Sequence, residues 1–197
     1  MPRSIVVFVA HPRIERSISN VRMRRVAEGI TGVTVVDLYA EYPNFEIDIR
    51  REQARIEDHD AVIMQHPVYW FSSPSIVKEW VDQVFSFGWA FGPEGDALKG
   101  KLYLHSVTTA ASHGVFARDV TSRSALRAQF HPFEATATLC GMRYLPPFSL
   151  FGAPADEPRE ERIERHAHAF ALLLRGLRDD TLDLAQPYRA IQSEVAV

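Results

Sequence analysis

The chain has 197 residues, 46% hydrophobic and 24% charged, with a mean hydropathy of -0.13, a composition of soluble globular type whose length suits one domain. At this size folding buries roughly 70% of the unfolded chain's surface, so a full core needs neither disulfide nor metal. A net charge of -3 disfavours a nucleic-acid binder, the single Cys140 cannot form an internal bridge, and no apolar run approaches the roughly 18 residues of a membrane span.

The N-terminus carries one arginine and a short apolar stretch closed by His11-Pro12-Arg13, without the small-residue cleavage site of a signal peptide, which leads to the expectation of a cytoplasmic protein. In chain order, residues 5–10 form a continuous β-branched and aromatic run, the pattern of a strand buried on both faces. A helix is expected over 19–28, a strand over 33–38, a helix over 50–58 and a strand over 61–65. The next helix is expected over 74–86, with Pro74 at its first position and Ser73 as its cap. A looser strand over 102–109 precedes a helix over 124–139 that Pro132 must interrupt or kink and Gly141 stops. Residues 143–151 form a last extended segment carrying Pro146-Pro147. The longest helix is expected over 160–178, with Ile163, Ala167, Phe170, Leu173, Leu174 and Leu177 as its apolar stripe. Strand and helix alternating five times predict an α/β fold, a doubly wound five-stranded parallel sheet with helices on both faces. Residues 1–178 read as one domain and 179–197 as a C-terminal extension.

Ligands of such sheets bind outside the carboxyl ends of the strands. After the first strand, a polar loop with His11, Arg16, Ser17, Ser19 and Asn20 feeds a helix N-terminus, where unpaired N–H groups and the dipole favour phosphate; Ser19 as a plain helix cap is the competing reading. After the third strand, Val68-Tyr69-Trp70-Phe71 offers a flat, desolvated wall. After the fourth, Thr108-Thr109-Ala110-Ala111 lets backbone approach a ligand closely. A planar ring joined to a phosphate by a flexible chain answers all three loops, and FMN is such a molecule. No Gly-x-Gly-x-x-Gly follows the first strand, and Gly95 to Lys101 imitates a P-loop but precedes a strand and continues with Leu102 instead of a hydroxyl. The acidic residues of a magnesium-binding receiver domain are missing, since Ala10-His11-Pro12 occupies their place.

These segments form an ordered series: Ala10-His11-Pro12 with Ser17 and Asn20, Gln65-His66-Pro67-Val68-Tyr69-Trp70-Phe71-Ser72-Ser73-Pro74, Lys78-Glu79-Trp80-Val81-Asp82, Gly88-Trp89, Leu98 with Gly100-Lys101, and Val107-Thr108-Thr109. The series resembles the flavodoxin-like NAD(P)H:quinone oxidoreductases, and within them the ancillary flavoproteins of glutathione-gated potassium-efflux (Kef) systems, a likeness that Tyr42-Pro43 with Asp48, and Cys140-Gly141 with Leu145-Pro146-Pro147, share. It runs from about residue 4 to residue 178. The resemblance implies FMN (FAD being the larger alternative) with its phosphate on His11, Ser17, Ile18, Ser19 and Asn20. Its ring would lie against Val68, Tyr69, Trp70 and Phe71, and its edge against Thr108, Thr109, Ala110 and Ala111. It also implies a homodimer, which would cover Phe87, Trp89 and Phe91. Where the family has Thr-Thr-Gly-Gly this chain has Thr108-Thr109-Ala110-Ala111, and an alanine forced to positive φ would cost roughly 1 kcal/mol and weaken flavin binding.

The activity so implied is two-electron NAD(P)H:quinone reduction in alternating half-reactions, with hydride passing through the flavin N5, Trp70 and Phe71 receiving the quinone, and His113 as candidate catalytic proton donor. The alternatives are a regulatory subunit of a potassium-efflux antiporter, peripheral at the inner membrane face through that transporter, and a scaffold that has lost flavin. A one-electron carrier is disfavoured by the weak net charge. Arg22, Arg24 and Arg25 are expected to be a solvated helix face and not an NADPH phosphate site. His166 and His168 diverge on their helix, so no metal is expected, and Cys140 is expected to be inert packing.

Overall fold

Strand β1 (Ile5–Val9) turns Val6 and Phe8 to one face and Ile5, Val7 and Val9 to the other, and all five side chains are sealed from solvent. The computed structural model describes residues 2–111, 122–152, 158–189 and 191. β1 pairs in parallel with β2 (Val33–Asp37) on one side and β3 (Ala61–Pro67) on the other. β4 (Leu102–Thr108) follows β3. The last position is shared by β5 (Arg143–Tyr144), which pairs with the start of β4, and β6 (Phe148–Leu150), which pairs with its end. The expected single segment over 143–151 is therefore two short strands. The Pro146-Pro147 pair between them lacks the N–H groups a continuous ladder would need. The order β2-β1-β3-β4-β5 makes the parallel, doubly wound sheet that the alternating periods predicted.

Helices α1 (Ile18–Glu28) and the long Arg159–Arg178 helix cover the face of Ile5, Val7 and Val9, through Met23, Ala27, Phe170, Leu173 and Leu174. On the opposite face lie α3 (Ile49–Glu57) and α4 (Ser75–Val84), joined by the Ser122–Gln129 and His131–Leu139 helices. Trp80 there meets Phe8 with ring centroids 4.7 Å apart. A one-turn helix, α2 (Leu38–Glu41), was not foreseen; Asp37 starts it by accepting from the Ala40 N–H.

Three local expectations change. Ser17, not Ser19, caps α1, accepting from the Asn20 N–H at 3.2 Å, so the helix starts at Ile18. α4 starts at Ser75: Pro74 is extended and stands in the cap position expected for Ser73, with no side-chain cap bond. The helix expected over 124–139 is two helices, because Pro132 sits in the first turn of the second, where its missing N–H is harmless. Gly141, at φ +70°, ends that second helix. The described part of 179–197 turns back on its own chain, with Leu182, Leu184 and Tyr188 packed on the core and Ile191 inside it.

Glu52 is fully buried and accepts from Tyr42 Oη at 2.6 Å, from Trp80 Nε1 at 3.0 Å and from Arg55, which satisfies its charge. His66 and His105 are equally buried but have no acid beside them among the described residues, and burial pushes His66 down to about 4 and His105 well below its ordinary value. The folded state refuses protons that the unfolded chain binds below about pH 6.5, so this stability is intact above that pH and is lost as pH falls towards the folded values. Urea unfolding should show stability falling by about 1.4 kcal/mol per pH unit for each ring below about pH 6.5, more steeply than in a His105→Leu variant.

Candidate functional site

Strand order reverses between β1 and β3, so the loops after their carboxyl ends diverge and leave a crevice. The crevice is held at one residue, Asn20. Asn20, buried in the first turn of α1, donates from Nδ2 to Ser17 Oγ at 3.0 Å and to Thr108 Oγ1 at 2.8 Å. Gln65 at the end of β3 donates from Nε2 to the Asn20 carbonyl at 3.0 Å. The loop after β1, the start of α1 and the ends of β3 and β4 are thereby joined. Ser17 Oγ and Thr108 Oγ1 serve as acceptors in these bonds, so their own O–H protons stay available to a ligand.

His11 is half-buried, and its Nδ1 accepts from the Arg13 N–H at 3.1 Å, which fixes Nε2 as the protonated nitrogen. Burial lowers its pKa, with Glu15 and Asp37 opposing, so the ring is a neutral donor at physiological pH. The N–H groups of Ile18 and Ser19 open α1 and have no intrahelical acceptor. Ser17 and Asn20 are bonded to one another at the start of α1 with Ile18 and Ser19 between them, and His11 lies in the loop that leads to them.

After β3 the backbone makes a tight turn in which Tyr69 and Ser72 exchange two bonds, of 2.9 and 3.0 Å. The two residues between them, Trp70 at φ 48° and Phe71 at φ 63°, both lie in the left-handed region. Bulky side chains there cost on the order of 1–3 kcal/mol each, and such conformations gather at functional sites. The turn thrusts Trp70 into solvent, 94% exposed, beside Phe71 at 50%. Val68, half-buried at the base, donates its N–H to the Thr108 carbonyl at 2.8 Å, which ties this wall to β4.

The strip after β4 is held from β6: the Thr109 N–H reaches the Leu150 carbonyl, and the Gly152 N–H the Ala111 carbonyl, both at 2.9 Å. Ala110 and Ala111 are not among the residues of positive φ, so the strain expected from replacing glycine there is absent. The close approach has moved to Gly152, where a Cβ would lie 2.1 Å from the Ala110 carbonyl oxygen. His113, the candidate proton donor, lies outside the described residues.

Other expectations sort themselves by contact. Lys101 of the P-loop imitation donates to the backbone carbonyls of Glu57 and His59, away from any phosphate site. Arg22 pairs with Glu164, and Arg24 with Glu28 and Asp37. Cys140 is buried, and burial raises its pKa. Phe87 is 72% exposed, but Trp89 and Phe91 are half-buried against the core, and Trp89 Nε1 donates to Glu57 at 2.6 Å, so only the first fits the exposed aromatic trio expected from sequence. Nothing in residue type or spacing signals the His66–His105 pair. His66 Nδ1–H donates to the Pro67 carbonyl at 2.9 Å, so its Nε2 must accept from His105 Nδ1–H at 2.8 Å. That chain braces the carbonyl immediately before the aromatic turn.

A family described by its flavodoxin-like fold matches residues 3–174. The glutathione-regulated potassium-efflux system ancillary protein KefG of Shigella flexneri serotype 5b is 37% identical over 169 residues, covering 86% of this chain and 91% of the relative. Among solved structures, general stress protein 14 of Treponema denticola in complex with FMN is 33% identical with a TM-score of 0.80, covering 88% of this chain and 99% of its own. An NADPH-quinone reductase of P. pentosaceus is 27% identical with a TM-score of 0.72, covering 85% of this chain and 95% of its own.

Asn and Gly are the residues that a turn with two left-handed positions favours. The double variant Trp70→Asn, Phe71→Gly should therefore unfold at higher urea concentration than the parent, a gain of about 1–2 kcal/mol, because strain is released and little burial is lost at Trp70.

Proposed function

The chain belongs to the flavodoxin-like family, and on that footing we propose that it is an FMN-dependent NAD(P)H:quinone oxidoreductase. The observation that carries the reading is the single Asn20 bridge joining a cradle of donors to an aromatic turn across the switch point. An FMN-bound structure and an NADPH-quinone reductase among the structural neighbours support it.

The residues present fit FMN. His11 Nε2–H, the Ser17 hydroxyl and the N–H groups of Ile18 and Ser19 would hold its phosphate, with Asn20 orienting Ser17. Tyr69, Trp70 and Phe71 would cover the ring system from Val68 outward, and Thr108, Thr109, Ala110 and Ala111 would line its edge. When bound, FMN supplies two-electron hydride acceptance and donation. The protein's part is to orient, to exclude water with Trp70 and Phe71, and to present hydroxyl and N–H donors where negative charge grows. NAD(P)H and the quinone would occupy the same face against Trp70 and Phe71 in turn, a ping-pong order, with His113 giving a proton to the quinone oxygen. Trp70 and Phe87 stand bare on the single chain, and a second copy covering them would account for both.

A second reading, as ancillary subunit of a potassium-efflux antiporter, is favoured by the names of the relatives and is compatible with the first. Among the described residues no helix is long and apolar enough to cross a membrane. Co-purification with the antiporter tests it.

Purified protein incubated with FMN and desalted should keep a yellow spectrum that bleaches with NADPH and recovers with a quinone; a colourless protein would overturn the reductase reading. The Asn20→Ala variant should bind FMN at least about tenfold more weakly, since Ser17 and Thr108 lose their common side-chain partner while Gln65 keeps the backbone carbonyl, as read by flavin fluorescence quenching.

A further inference from the structure

Away from the crevice, at the outer edge of the sheet, β6, the first half of the Arg159–Arg178 helix and the returning C-terminal stretch enclose a pocket of about 330 Å³. A cavity of roughly 150 Å³ already admits a benzene ring, so this one has room for a two-ring molecule. Phe148, Tyr188 and Ile191 give it apolar walls, and Ala169 is its smallest lining side chain. Tyr188 fastens the wall by donating to the Pro146 carbonyl.

Two polar atoms in this lining are buried and without a hydrogen-bond partner: Arg162 Nε and His166 Nε2. They stand on one helix, four residues apart and hence on the same side. Arg162 Nη1 is engaged with the Phe151 carbonyl, which orients the guanidinium and leaves Nε–H as the unpaired donor. His166 stacks on Phe148, with centroids 4.4 Å apart and planes at 21°. Burial, with the Arg162 charge behind it, pushes His166 down to about 3, so the ring is neutral. Arg165 also lines the pocket, and among the described residues no Asp or Glu does. An unpaired buried donor carries a desolvation penalty that a ligand acceptor would remove.

We propose that this pocket binds an organic carboxylate with a flat apolar body. One carboxylate oxygen takes Arg162 Nε–H and the other takes His166 Nε2–H, and the body lies between Phe148 and Ile191. The buried donors of the lining left without a partner are Arg162 Nε–H and His166 Nε2–H, a pair that matches the two oxygens of a carboxylate better than the three of a phosphate. Phe148, Arg162 and His166 lie within the matched residues 3–174, and Tyr188 and Ile191 close the pocket from beyond them. β6 also bonds the strip of Thr109 to Ala111, which places an occupant one strand away from the crevice. The proposal does not rest on the reductase reading.

Calorimetric titration of the full chain with 2-naphthoate tests it, with uncharged 2-naphthamide as the matched control. One naphthoate should bind per chain, the amide at least about tenfold more weakly, and Arg162→Leu should weaken the acid by about tenfold or more. Ala169→Leu, which fills the pocket and whose melting temperature verifies folding, should abolish binding and keeps the test readable if Arg162→Leu does not fold. Trp70→Ala should leave the affinity unchanged. Absence of saturable binding, equal binding of acid and amide, or undiminished affinity in the pocket variants overturns the proposal, as does loss confined to Trp70→Ala.

Discussion

The amide of Asn20 donates to Ser17 and Thr108 while the Asn20 carbonyl receives Gln65, so one buried residue of α1 joins the ends of β3 and β4 to the loop after β1. A parallel sheet aligns its strands through the ladder but leaves the loops beyond their carboxyl ends to find their own positions. Here they are not left free. Because the bridge is buried, each of its bonds carries the penalty of an unpaired polar group if broken, and the crevice is correspondingly stiff. The donor cradle and the wall opposite keep their separation for that reason.

The aromatic turn is the counterpart of that stiffness. Trp70 and Phe71 occupy left-handed backbone that their size disfavours, and the paired bonds of Tyr69 with Ser72 hold them there. Behind the turn, Val68 is bonded to Thr108, and the Pro67 carbonyl is braced through His66 to His105. The strain is local and its support comes from the sheet, as expected where a side chain must face a ligand and not the core. The neutral histidines make that support sensitive to acid.

Much of the fold was legible. The β-branched runs gave β1, β3 and β4 to within two residues, and the apolar stripe through Ile163 and Leu177 gave the longest helix, because full burial on both faces of a strand and burial along one side of a helix leave different periods. That the loops carrying Ser17 and Asn20, Val68 and Thr108 share one edge of the sheet was legible from loop position alone. What was misread lay at boundaries: Pro132 was taken as a kink though it opens a new helix, Ser19 and Ser73 were candidate caps though Ser17 and Pro74 stand at those positions, and Trp89 and Phe91 were assigned to an exposed face though the core takes them. Each depends on which of two neighbouring residues finds a partner, a difference that composition and spacing do not carry.

By itself the sequence determined the class of architecture, the order of its strands and helices, and the edge at which chemistry belongs, since periodicity, caps and loop composition are properties of contiguous residues. Only the tertiary structure decided that Asn20 and Thr108, 88 residues apart, would be partners, that His66 would bond His105, and that Arg162 and His166 would be left buried and unpaired beneath a C-terminal stretch. Those outcomes turn on strand order and on what covers the sheet edge. Hydrogen-bond geometry is settled within a few tenths of an ångström, and no local pattern in the chain specifies distances between segments that far apart.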